Sequence, residues 1–247
     1  MSINKNKNRK ACLDKFLVQS GFFKNIEKAR FAIASGIIQA NGQTITHTNA
    51  LTNINSIISV AEQEKYVSRG GYKLEGFLKD INADVKDKVA IDIGASTGGF
   101  TDCLIQSGAT KVYSVDVGYG QLAWKLREME NVIVLDKMNA HHKISIEELV
   151  DLAVIDVSFI SVVKILPNVV PLMKKHCDIF VLVKPQFEAK KAEVPRGGII
   201  IDPMVHAQTL QYVSSWGRDN GLRILSIRRS VITGAKGNTE FFINFRT

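Results

Sequence analysis

The chain has 247 residues, of which 45% are hydrophobic and 23% charged, and it carries a net charge of +8. That length buries one good core, or one core with a small appendage, and the composition is that of a globular rather than a disordered chain. Cys12, Cys103 and Cys177 stand far apart with no CxxC pair, which argues against a disulfide framework or a zinc site and for a reducing compartment, the cytoplasm.

The polar, basic start, Met1 to Lys10, is followed by no apolar segment, so no signal peptide is expected. Residues 1–30 hold eight basic side chains against Asp14 and Glu27, and so carry six of the eight net positive charges. Such concentration fits a polyanion-binding surface, with a solubilising basic face as the alternative. Arg9, Lys10, Lys24, Lys28 and Arg30 are the candidate contacts. Leu13, Phe16 and Leu17, then Ile26, Ala29 and Ile33, recur at helical spacing and predict two short helices, with Asn25 as N-cap of the second and Gly36 as its stop. Asn41-Gly42 between Ile37–Ala40 and Thr44–Thr46 is a hairpin signal, and Ile57–Val60 reads as another strand. Phe31 to Ala61 lacks charged residues, yet its Asn, Thr, Gln and Gly residues would go unsatisfied in hydrocarbon, so no membrane span is expected. Residues 1–63 are read as a small α/β domain and 64–67 as a linker.

From residue 68 the pattern becomes strand–helix alternation. Strands are expected at Val89–Ile93, Lys111–Val115, Val132–Leu135, Leu152–Ile155, Ile179–Val183, Leu222–Arg228 and Glu240–Phe245, with helices at Phe100–Ser107 and Ile160–Leu172. Short apolar strands between helices imply a mostly parallel, Rossmann-like seven-stranded sheet covered on both faces, with ligands beyond the carboxyl ends of the strands.

The segment Asp92-Ile93-Gly94-Ala95-Ser96-Thr97-Gly98-Gly99-Phe100 runs from a buried strand through a glycine-rich turn into a helix. Glycine there lets a ligand approach the backbone. The spacing is not GxGxxG, because Ser96 stands at the second glycine position. Asp92 at the strand end would repel a pyrophosphate but suit a cationic aminoacyl sulfonium. Asp116, closing the next strand, is placed to accept hydrogen bonds from a ribose diol. Asp92, the glycine loop and Asp116 together resemble the first two motifs of the class I S-adenosylmethionine methyltransferases. That resemblance implies that Asp92, Gly94, Ala95, Ser96, Gly98, Gly99, Phe100 and Asp116 bind S-adenosylmethionine.

Four charged residues stand at strand ends or beside them: Lys73 before the first strand of the large domain, Asp156 after the fourth, Lys184 after the fifth, and Glu240 opening the last. Singly, each fits a return to solvent; together they converge on the cofactor end of one sheet. A ribose 2′-hydroxyl needs its proton taken or polarised, and Lys184 is the candidate base or steering group, with Lys73, Asp156 and Glu240 orienting it and balancing charge.

These four residues resemble the Lys-Asp-Lys-Glu tetrad of FtsJ-like ribose 2′-O-methyltransferases. Their surroundings are similar to the TlyA family of ribosomal RNA methyltransferases, which also carries the label hemolysin A. The matching runs are Ser68–Leu74, Asp92–Asp102, Val115–Leu122, Val154–Ser161, Leu182–Glu188 and Gly234–Glu240. The resemblance implies methyl transfer to cytidine riboses of 16S or 23S ribosomal RNA. It also implies a small RNA-binding domain like that of ribosomal protein S-four and Asn139 as an adenine-side contact, and Arg69 joins the candidate RNA contacts. Two positions depart from the family's pattern: Cys12 where arginine is common, and Tyr66 where tryptophan is expected. The competing readings are a pore-forming cytolysin and an RNA-binding protein with a vestigial methyltransferase fold. An N-methyltransferase is disfavoured because Asp156-Val157-Ser158-Phe159 is not an Asn/Asp-Pro-Pro-aromatic motif. His141-His142 lacks a metal-ligand partner at helical spacing and reads as a polar loop. Trp124 and Phe159 are equally core or stacking residues, and Arg196-Gly197-Gly198 reads as a surface turn or a loop over the site.

Overall fold

The computed structural model describes residues 10–61, 64–234 and 236–247. Arg9 lies outside the described residues. The chain divides into two units, Met1–Lys65 and Tyr66–Thr247. The break falls inside the expected linker. Tyr66 is buried in the larger unit against Gly71 and edge-on to Tyr72, and Val67 donates its backbone N–H to Asp102.

In the smaller unit, strand β1 (Lys10–Cys12) leads into helix α1 (Leu13–Gln19), followed by α2 (Ile26–Ala34) and strands β2 (Ile38–Ala40), β3 (Gln43–Thr44), β4 (Leu51–Asn53) and β5 (Ile58–Val60). The apolar stripe Leu13, Leu17, Ala29, Ala32, Ile33 and Ile38 forms its core. Asn25 caps α2 through Lys28 N–H at 2.9 Å, and Gly36 ends it at φ +72°. The Asn41-Gly42 turn takes φ values of +51° and +79°, as a two-residue hairpin loop requires. Asn41 also accepts the Ile57 N–H, which ties β5 beside β2. The β1–β4 pair was not anticipated, because three-residue strands leave no periodicity to read.

The larger unit opens with α3 (Arg69–Asp80), then β6 (Val89–Ile93), α4 (Gly99–Gln106), β7 (Lys111–Val115), α5 (Trp124–Arg127), β8 (Val132–Leu135), β9 (Val150–Ile155), α6 (Leu166–Val169), β10 (Met173–Val183), α7 (Pro185–Glu188), α8 (Pro203–Asp219), β11 (Arg223–Arg229) and β12 (Phe241–Arg246). Its seven strands run in the order β11-β12-β10-β9-β6-β7-β8, parallel except for β12, which pairs antiparallel with both neighbours. Alternate residues feed two cores. Ile91, Ala153, Ile155, Val181, Val183 and Ile243 face one side, and Leu152, Val154, Phe180, Leu182 and Phe242 the other. The strand order reverses between β6 and β9, and that switch point opens a crevice at the strands' carboxyl ends.

Three expectations change. The segment 160–172 is not one helix: α6 is flanked by 3-10 turns at Val162–Lys164 and Val170–Leu172, because Pro167 and Pro171 break the hydrogen-bond ladder. Lys73, expected just before the first strand of the large domain, lies within helix α3. Three glycines in twelve residues mask that helix, yet Gly71 makes room for the Tyr66 ring, and a Cβ at Gly76 would stand 2.5 Å from Val231. Helix α8 is not among the expected elements although its signals are readable: Asp202 caps it through Met204 N–H, Pro203 starts it, and Gly221 follows its end at φ +80°.

Candidate active site

At the carboxyl end of β6, Asp92 is fully buried. Its Oδ2 accepts hydrogen bonds from Thr101 N–H at 2.9 Å and Thr101 Oγ1 at 2.7 Å, which anchors the first turn of α4 to the strand. Its Oδ1 is buried without a partner in the wall of a cavity of about 350 Å³ that also includes Ala95, Ser96 and Thr97. Burial, with the nearby Asp156 and Asp116 carboxylates, pushes the Asp92 carboxyl up to about 7 despite the two Thr101 hydrogen bonds. An orphaned acid oxygen in a polar cavity suits a cationic ligand group.

The glycine loop is required for packing within the protein more than for ligand approach. A Cβ on Gly94, at φ +85°, would sit 2.5 Å from the backbone oxygen of Asp156, so this glycine lets the ends of β6 and β9 touch. Gly98 is absent from the cavity wall. Its positive φ starts α4, and a side chain there would strike Leu122 and Leu126. Gly99 faces the cavity and also admits Ser68 Oγ beside it. Phe100 reaches the cavity, but its ring is buried in the core against Phe242.

A second cavity, of about 390 Å³, adjoins the first and is lined by Val115, Asp116, Met138, Asn139, Ile160 and Ile165, among others. Asp116 accepts Ser96 N–H at 2.8 Å on one oxygen and Gly118 N–H at 2.7 Å on the other, which fixes the carboxylate while each oxygen keeps a lone pair. Asn139 accepts His141 N–H, and so holds the polar turn that contains His141 and His142.

The four tetrad residues meet at the rim of these cavities as two ion pairs. Lys73 on α3 lies 2.5 Å from Glu240, just before β12, and Lys184, just after β10, lies 2.6 Å from Asp156, just after β9. The second contact is a close ion pair not aligned as a hydrogen bond, whereas Lys184 Nζ donates to Ser158 Oγ at 2.9 Å. Lys73, Lys184 and Glu240 are buried, and Gly234 leaves the space that the Glu240 carboxylate fills. A third cavity, of about 450 Å³, spreads from Lys73, Lys184 and Glu240 to Phe159, Gln186, Phe187, Lys236 and Asn238. Phe159 is 91% exposed at φ +64°, and its ring centroid lies 5.0 Å from that of Phe187.

Several residues in and beside the cavities were marked in the sequence by nothing beyond their place in the matching runs. Ser158 borders all three cavities. Asn238 donates to Gly198 O and accepts Ile200 N–H, so the Arg196-Gly197-Gly198 segment is pinned at the cavity's edge. Glu188 accepts Ser161 Oγ at 2.5 Å and Val162 N–H at 2.8 Å, and thereby ties the segment after β10 to the one after β9. Burial pushes the Glu188 carboxyl up against these two hydrogen bonds. Only its place in the run Lys184-Pro185-Gln186-Phe187-Glu188 hinted at such a role.

Among the basic candidates, Lys10, Lys24, Lys28 and Arg30 are exposed on the smaller unit. Arg30 is not wholly free for a ligand, since its Nε donates to buried Asp14 at 2.8 Å. Burial raises the Asp14 carboxyl, but Arg30 and the Lys15 N–H outweigh it and hold the group below its ordinary value. Arg69 is exposed at the first cavity and donates to Thr233 O.

Residues 66–247 match the FtsJ-like methyltransferase family. The chain belongs to that family. It is 37% identical over 243 residues, 97% of this chain and 91% of the relative, to the 16S/23S rRNA (cytidine-2′-O)-methyltransferase TlyA of Mycobacterium tuberculosis. It is 38% identical over 236 residues, 94% of this chain and 98% of the relative, to Hemolysin A of Brachyspira hyodysenteriae. A solved structure described as a hemolysin from Streptococcus thermophilus superposes with a TM-score of 0.73 at 35% identity, covering 96% of this chain and 88% of that one. The chain is thus a methyltransferase with the family's Rossmann-type sheet.

Proposed function

We propose that the protein transfers a methyl group from S-adenosylmethionine to the ribose 2′-hydroxyl of a cytidine in 16S or 23S ribosomal RNA, in the cytoplasm. The observation that carries this reading is the meeting of the Lys73–Glu240 and Lys184–Asp156 pairs between two cofactor-sized cavities and a third, aromatic-walled one. The relative named as a cytidine-2′-O-methyltransferase matches over nearly its whole length, which supports the same substrate here.

S-adenosylmethionine supplies an electrophilic methyl group on a cationic sulfur. Asp92 Oδ1 would face its aminoacyl end, with the Ser96 and Thr97 turn beside it, and Asp116 and Asn139 would hold its ribose and adenine ends in the second cavity. Lys184 is placed to steer the acceptor 2′-hydroxyl and to take or polarise its proton. Asp156 and Ser158 hold the Lys184 side chain, and Glu240 fixes Lys73 nearby as a second cation that balances the developing oxyanion. Lys10, Lys24, Lys28, Arg30 and Arg69 would contact RNA phosphates.

The test is transfer of labelled methyl to ribosomal subunits followed by mapping of the modified nucleotide, with Lys184→Ala as control. That variant is expected to bind cofactor but to transfer methyl at least about a hundredfold more slowly, and full activity in it would overturn the mechanism. A cytolysin would instead lyse erythrocytes equally well with Lys184→Ala and Asp156→Ala; among the described residues, no helix is long and apolar enough to cross a membrane.

A further inference from the structure

The third cavity holds more polar groups than the transfer reaction uses, and most of them are already engaged. Lys73 is held by Glu240, and Lys184 by Asp156 and Ser158. Asn238 has both ends of its amide bonded to the backbone of the 198–200 segment. Gln186 differs. It stands on the first turn of α7, two residues beyond Lys184, in the wall of the same cavity, and its side-chain oxygen Oε1 is buried with no hydrogen-bond partner. A buried acceptor without a donor is unfavourable, and one in a cavity wall is open to a donor on whatever the cavity holds.

The ligand this cavity would take is a nucleoside turned out of its RNA helix, since a ribose hydroxyl must reach Lys184. The Phe159 and Phe187 rings supply an apolar wall, which receives any base and selects none. Selection needs hydrogen bonds to a base edge. A carboxamide offers one acceptor and one donor side by side, and cytosine presents the matching pair, its N4 amino donor next to its N3 acceptor. Uracil presents the reverse pair, an N3–H donor next to an O4 acceptor. An amide kept with its oxygen toward the cytosine amino group meets uracil O4 acceptor to acceptor, and would have to turn over, carrying Oε1 out of its buried place in the wall, to pair with uracil.

We propose that Gln186 is the specificity-determining residue of this enzyme, its carboxamide reading the N4 amino group and N3 of the acceptor cytidine. The inference rests on the ribose-methylating function proposed above and adds to it the group that chooses the base.

The test uses the full-length protein and ribosomal subunits from a strain lacking this modification. The subunits are reconstituted with cytidine, uridine or 2-pyrimidinone riboside (cytidine without its amino group) at the modified position. Wild type is expected to prefer cytidine to either analogue by about tenfold or more in kcat/KM, the discrimination typical of a paired amide contact. Gln186→Leu is expected to lose about that factor on cytidine alone, so that its three rates converge, while its affinity for S-adenosylmethionine stays unchanged by calorimetry. A Gln186→Leu enzyme that keeps its preference for cytidine overturns the proposal. Equal losses on all three RNAs, or a loss of cofactor affinity, also overturn it by marking Gln186 as structural. Wild type alone decides one arm without any variant: equal rates on cytidine and 2-pyrimidinone riboside overturn the reading of the amino group. If wild type methylates no cytidine ribose at all, the failure lies in the proposed function itself.

Discussion

The cofactor crevice and the acceptor cavity share one end of one sheet but are built differently. Much of the crevice comes from one stretch of chain: Asp92, the Gly94–Gly99 turn and Asp116 lie within 25 residues and touch one another through Ser96 and Thr101. The acceptor cavity draws Lys73, Lys184 and Glu240 from separate parts of the chain; one ion pair, Lys73–Glu240, spans 167 residues of sequence, and another ties Lys184 to Asp156 in the neighbouring crevice. A local site of the first kind depends on backbone conformation. A convergent one depends on sheet order and on side chains that hold neighbouring segments in register. Damage to the two should therefore be separable in kinetics.

The largest separation is expected from Lys184→Ala, which should reduce kcat by about 10²- to 10⁴-fold, the range for removing a proton-transfer group, with cofactor affinity unchanged in calorimetry. Gly94→Ala should behave in the opposite way. Its Cβ would collide with the Asp156 backbone oxygen in a left-handed conformation that costs alanine about 1–3 kcal/mol even before the clash. Thermal stability and cofactor affinity should fall together, and intact cofactor binding in a stable Gly94→Ala protein would show that the crevice is not built on that contact.

Asp92 links the crevice to pH. Its carboxyl sits at about 7 in the folded protein against an ordinary 3.8, so the native state binds the extra proton between those values and its stability falls as pH rises through them. Asp92→Asn should flatten that part of the stability curve in denaturant titrations at pH 4 to 7. Binding a cationic ligand at pH 7 should release protons from wild type, measurable as a buffer-dependent binding enthalpy, and release fewer from Asp92→Asn.

A smaller effect is expected at the brace of the acceptor side. Glu188→Ala should free Ser161 and Val162 and lower kcat by about tenfold, as for a lost buried hydrogen-bond pair, with KM for S-adenosylmethionine little changed. Glu188→Gln, which keeps one acceptor, should recover part of the loss. The smallest change belongs to the other unit. Lys24→Ala and Lys28→Ala should each weaken RNA binding a few-fold, with the salt slope falling by about one per removed contact and no effect on cofactor affinity.

The sequence by itself determined what repeats or stays local. The strand–helix alternation, the mostly parallel seven-stranded sheet, the Asn25 cap, the Asn41-Gly42 hairpin and the crevice acids follow from side-chain period and turn chemistry, which neighbouring residues decide. Asp156, Lys184 and Glu240 were legible because strand ends in such a sheet face one crevice, whereas Lys73 lies on a helix and rested on the resemblance. Only the tertiary structure decided how they pair, and that Lys73 rides on a helix whose glycines exist to admit Tyr66 and Val231. It alone showed that Gly98 and the Phe100 ring also serve packing within the protein, that Glu188 braces Ser161, and that Gln186 is left with an unpaired oxygen. The physical reason is the same in each case: a glycine's necessity, a carboxylate's partner and an amide's lack of one are set by atoms that approach from distant parts of the chain, and no local pattern records them.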